Sequence, residues 1–124
     1  MATDTTLRRL DAEAAVRVDG WTEIRERAGD ITGKPRVGLR RPVIGYSTDL
    51  RRATQLARKA VRMHGKVAND ASVSVTLCAD EVQVEAFNPS TGETLESSVE
   101  RTDSLPEALT RAAVHLSLRA MKAK

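Results

Sequence analysis

The chain has 124 residues, a length that fits a single domain, 1–124, burying about two-thirds of its unfolded surface around one core. Its formal charge is +3, with Arg supplying fifteen of 20 cations, and three aromatics, Trp21, Tyr46 and Phe87, are too few for a base-stacking platform. Lone Cys78 excludes an internal disulfide and a multi-cysteine zinc site and suits a reducing cytoplasm, while no run approaches the ~18 apolar residues of a spanning helix, so no membrane partner is expected.

In chain order, Leu7, Leu10, Ala14 and Val18 recur at helical spacing and Gly20 closes the run, which predicts a helix over about 7–18. Residues 22–45 carry a turn of helix near Glu23 to Arg27 and are then punctuated by Gly and Pro. They read as a long basic surface linker bearing Lys34, Arg36, Arg40 and Arg41. Within it, Gly29 to Pro35 is similar to a phosphate loop, but three residues separate the glycines where four are needed. Pro35 also stands where the metal-binding hydroxyl belongs, so a nucleotidase is not expected.

An α-β-β-β-α unit is expected over 46–123. Tyr46 to Gly65 reads as a helix, with Ser47, Thr48 and Asp49 to cap its start and Gly65 to end it. From Val73 the period changes to two: Val73, Val75, Leu77 and Ala79, then Val82, Val84 and Ala86, then Leu95, Ser97 and Val99 predict an antiparallel meander with one apolar face. Ser104 and Glu107 are spaced as a capping box around Pro106, so a last helix starts near Leu105. The fold class expected is α+β, a three-stranded meander packed with about three helices.

Two helix faces stand out. On the first, Arg51, Arg52, Gln55, Arg58, Lys59 and Arg62 share about 120° of arc opposite Leu56, Ala57, Ala60 and Val61. The carboxylates at both legible helix starts occupy the free N–H groups, so an anion would have to be held by side chains: Arg51, Arg52, Arg58 and Arg62, with Arg40 and Arg41 from the linker. On the last helix, Val114, Leu118 and Met121 form an apolar patch opposite the main stripe. Either a second copy, making a homodimer, or the N-terminal segment around Trp21 is expected to cover it.

No pattern carries a catalytic site. Cys78 reads as a small structural residue within a strand, His64 as a partner for the carbonyl end of its helix, and His115 as part of a solvated stripe with Arg111, Arg119 and Lys122. The carboxylates show no pairing for acid–base work, and neither a metal centre nor a cofactor is expected.

LDAEAAVRVDGW at 10–21, YSTD at 46–49 and SLPEALTRAAVHLSLRA at 104–120, in this order, resemble the phage ABA sandwich domain family. The resemblance implies a small phage or prophage protein with a sheet between helices, acting in the host cytoplasm, and implies no established activity. The expected function is a non-catalytic inhibitor of a bacterial anti-phage defence, which blocks a host defence protein or sequesters an anionic nucleotide signal. The alternative is an accessory protein that binds nucleic acid through its phosphates.

Overall fold

A computed structural model of the chain describes residues 4–28, 30–63, 72–102 and 104–122, with the side chains of residues 4, 5 and 119–122 outside this description. The elements are α1 (Asp4–Arg17), β1 (Thr22–Arg27), β2 (Asp30–Lys34), β3 (Arg41–Pro42), a 3-10 turn (Tyr46–Thr48), α2 (Leu50–Arg62), β4 (Ser72–Leu77), β5 (Val82–Phe87), β6 (Thr94–Glu100) and α3 (Leu105–Lys122). The strands form two three-stranded antiparallel sheets, ordered β1-β2-β3 and β4-β5-β6, so the fold is α+β.

The first sheet occupies the segment expected to be a linker. Its alternation is short and interrupted: β1 is bulged between Thr22 and Arg25, and in β2 only Ile31 and Gly33 point inward. Gly33 is a packing glycine, because a Cβ there would lie 2.6 Å from Ile24 Cδ1 and 3.1 Å from Trp21 Cε3. A residue that reads as loop punctuation is what lets the strand lie against Trp21.

The last helix organises the packing. In one cluster Ala108, Leu109 and Ala112 meet Ala53, Ala57, Val82 and Val84. In a second, Ala113, Val114 and Leu116 join Leu10, Ala14, Trp21, Tyr46 and Leu56. Alanines at these contacts allow α2 and α3 to approach closely, and fully buried Leu56 and Leu116 are each worth about 1.5–3 kcal/mol. Two buried hydroxyls on α3 are satisfied within the helix, Thr110 by Pro106 O at 2.8 Å and Ser117 by Val114 O at 2.7 Å.

Of the two covers expected for Val114 and Leu118, the structure shows the N-terminal segment around Trp21. Val114 is 3% exposed in the cluster that contains Trp21, and Leu118 packs against that cluster. The second apolar side of α3 exists because α1 and the Trp21 segment cover it within the same chain. The side chain of Met121 lies outside the described residues, as do His64 and Gly65.

The sheet register corrects another expectation. Val75 pairs with Val84 and Val84 with Ser98, while Leu77 pairs with Val82 and Val82 with Glu100, so Ser98 and Glu100 share the face that meets α2 and α3. Val99, expected inside, is 56% exposed. A bulge explains the shift: Ala86 pairs with Glu96 but Phe87 with Thr94, and the extra residue, Leu95, packs on the core. Counting forward from Leu95 then assigns every later side chain to the wrong face. Among the described residues no helix covers the opposite face, where Ser74, Thr76, Gln83 and Val99 are exposed.

Candidate functional site

Helix α2 starts at Asp49, whose carboxylate accepts from Arg52 N at 3.2 Å. Its buried face is Ala53, Leu56, Ala57, Ala60 and Val61, which leaves Arg51, Arg52, Gln55, Arg58, Lys59 and Arg62 exposed. At about 100° per residue, Arg51, Arg58 and Arg62 fall within about 40° of one another, a row about 16 Å long. The helix contains no carboxylate. Lys59 is matched from outside it, by Asp19 at 2.6 Å. Other cations are matched too: Arg8 by Asp30, Arg9 by Glu26, Lys34 by Glu23 and Arg111 by Glu107. Among the described residues, none of the three row guanidiniums joins an ion pair.

Of the expected six arginines, Arg51, Arg52, Arg58 and Arg62 lie on α2, while Arg41 opens β3 with Arg40 just before it, and both of these guanidiniums are engaged at the small sheet. Arg40 Nη1 donates to Thr32 Oγ1 at 3.2 Å and its Nη2 is buried without a partner, while the Arg41 guanidinium sits 5.5 Å from the centroid of the Trp21 ring. The turn between β2 and β3 exposes Val37 at 90% and Leu39 at 88%. Lys34, on β2, bonds Glu23, which holds that carboxyl below its usual range.

Carboxylates at two places on the N-terminal segment fasten the 3-10 turn. Asp11 Oδ1 accepts from Ser47 N at 2.8 Å, and Asp19 accepts from the Tyr46 hydroxyl while also holding Lys59. Burial, then the Asp19 bond, raise the Tyr46 pKa well above the usual phenol range. The LDA, DGW and YSTD motifs are thus partners in one clamp. Asp11 is itself buried at 6% exposure, and burial lifts its pKa from the usual 3.8 to about 6, partly offset by Ser47. The buried Ser47 hydroxyl beside it adds to that offset.

Asp11 also lines a cleft of about 660 Å³. Leu7 and Arg8 from α1, Asp30, Ile31 and Thr32 from β2, and Pro42, Val43, Gly45 and Thr48 from the following segment complete it. The sequence carried a signal for this site: Asp11 falls four residues after Leu7 and three before Ala14, a carboxylate on the core stripe of α1.

A third cluster links β6 to α3. His115 Nδ1 lies 3.1 Å from Glu100 Oε1 and 3.3 Å from Ser98 Oγ, and Ser98 Oγ donates to Glu100 at 3.0 Å. His115 is therefore not only a member of a solvated stripe. The three residue types are those of a hydrolase triad, but serine and carboxylate share one ring nitrogen, whereas a relay needs them on opposite nitrogens. Cys78 lies past the end of β4 and is exposed, its N–H bonding Glu81 O at 2.9 Å, because that strand ends at Leu77. Asp30–Lys34, within the segment similar to a phosphate loop, form strand β2. At the start of α3, Ser104 Oγ accepts from Glu107 N at 3.4 Å while Glu107 turns to Arg111, so half of the capping box forms.

Among the described residues no group of three or more His, Cys, Asp or Glu is placed to hold a metal ion, and no helix is long and apolar enough to cross a membrane. Compared with known proteins, the chain matches no family model, no curated protein and no solved structure.

Proposed function

We propose that this chain is a non-catalytic binding protein that docks an anionic partner on the Arg51, Arg58 and Arg62 row of α2. One observation carries the reading: a helix with five cations and no carboxylate turns outward, in line, three guanidiniums that no described residue pairs. A helix face that serves only for solvation normally interleaves charges of both signs, since like charges four residues apart, as at Arg58 and Arg62, are destabilising. Arg51 and Arg52 also oppose the positive end of the helix dipole. The row costs stability and, among the described residues, makes no ion pair in return, which favours a use outside the fold.

The resemblance to the phage ABA sandwich domain family supplies a setting for this surface. In that setting the protein inhibits a bacterial anti-phage defence in the host cytoplasm, by covering an acidic patch of a defence protein or by holding an anionic nucleotide signal. The test is affinity capture from host cytoplasm with the parent chain and with Arg58→Glu/Arg62→Glu, reading proteins by mass spectrometry and extracting nucleotides from the eluate. One defence protein or nucleotide retained by the parent and lost by the double variant supports the proposal. Equal recovery by both refutes it, and capture of DNA that weakens steeply with salt favours a nucleic-acid role on the same row.

A further inference from the structure

The cleft beside Asp11 has a chemistry opposite to that of the arginine row. Its volume of about 660 Å³ falls in the usual range of small-molecule sites, roughly 300–1,000 Å³. Of its three charged lining residues, Arg8 and Asp30 lie 3.5 Å apart at an exposed rim and offset one another. Asp11 is left as the unmatched charge. Among the described residues no cation pairs with it, and Ser47 N donates to its Oδ1. Holding the 3-10 turn does not require a charge, because the neutral oxygen of an asparagine would accept the same N–H without the cost of burying a carboxylate. The burial that raises its pKa to about 6 measures that cost, and a cation arriving in the cleft would relieve it.

We propose that this cleft is a binding site for a small organic cation, a guanidinium or primary ammonium head on an apolar stem, with Asp11 as its counter-ion. Thr48 Oγ1, which donates to Gly45 O at 3.3 Å, keeps lone pairs to accept a second N–H of the head. Leu7, Ile31 and Val43 line the cleft as apolar walls for the stem. The same carboxylate repels phosphates and carboxylates, so the ligand differs in class from the partner of the α2 row.

The test is calorimetric and NMR titration of the full chain with butylguanidinium and butylammonium, with butyrate as the charge-reversed control. Saturable binding of either cation and none of butyrate is expected. Affinity should fall by roughly tenfold or more in Asp11→Asn, which retains an acceptor for Ser47 N, and in Leu7→Trp, which fills the cleft. Should Asp11→Asn fail to fold, Leu7→Trp decides the matter. An end-blocked Ala-Arg-Ala peptide separates the sources of the head group: tighter binding than butylguanidinium indicates a partner's side chain, and weaker binding a free metabolite. Failure of both cations to saturate, equal binding of butyrate, or undiminished binding in the folded variants overturns the proposal. Arg58→Glu/Arg62→Glu should leave this binding unchanged, which keeps it separate from the reading of the row.

Discussion

Arg51→Glu should make the protein more stable while weakening its partner complex. Arg51 is the second residue of α2, and the first turn contains no acid. A cation there opposes the helix dipole by about 0.3–1 kcal/mol, and a carboxylate in its place gains a similar amount. Helix propensity does not interfere, since Arg and Glu are near equals. Asp49 at the cap already answers part of the dipole and the site is open to water. The net gain is therefore at the low end, about 0.5 kcal/mol, or roughly 2 °C in Tm for a chain of this size. Thermal unfolding followed by circular dichroism at low salt reads the shift, and added salt should erase it. A fall of more than about 2 °C would mean that Arg51 makes a structural contact, and the inference that the row is kept for a partner would lose its basis.

Three further outcomes follow from other parts of the fold. Ala28 has φ +51°, a left-handed conformation that costs a non-glycine residue about 1 kcal/mol, so Ala28→Gly should stabilise by about 0.5–1 kcal/mol in urea unfolding. Because the folded Asp11 holds its proton to about pH 6 and the unfolded one only to about 3.8, its contribution to stability is fully present below pH 3.8 and is lost as pH rises to 6. Asp11→Asn should remove that loss, so its stability relative to the parent rises across this window by at most about 3 kcal/mol, measured by unfolding at a series of pH values. Val37→Ser with Leu39→Ser should leave the unfolding free energy within about 0.5 kcal/mol, because both side chains are almost fully exposed.

The elements with strong local signals were legible in the sequence. Asp49 caps α2, and the arginines at 51, 58 and 62 face outward because the 3.6-residue period fixes their side once Leu56 and Val61 are buried. β4, β5 and α3 also form where alternation and the Pro106 start placed them. What failed was what long-range contact decides. The small sheet has no run of alternation long enough to read, and Gly33 resembles loop punctuation until Trp21 is seen against it. The face of β6 turned on one extra residue in a bulge, which no period count detects. Both apolar sides of α3 were readable, and cover by the Trp21 segment was one of two outcomes the pattern left open, because periodicity gives a face but not what lies against it. In the candidate site, the arginine row was legible, whereas the engagement of Arg40 by Thr32 and of Arg41 by Trp21 was not. The cleft also escaped, because its walls come from four separate elements and only Asp11, on the core stripe of α1, marked it.

The most direct measurement for the central claim is the affinity of the captured partner for the parent chain and for Arg58→Glu/Arg62→Glu, at low and at moderate salt, by titration calorimetry. The account predicts at least about a tenfold loss in the double variant, larger at low salt, with Tm within a few degrees of the parent. Unchanged affinity at both salt concentrations would show that the row is a solvated surface and that the partner binds elsewhere.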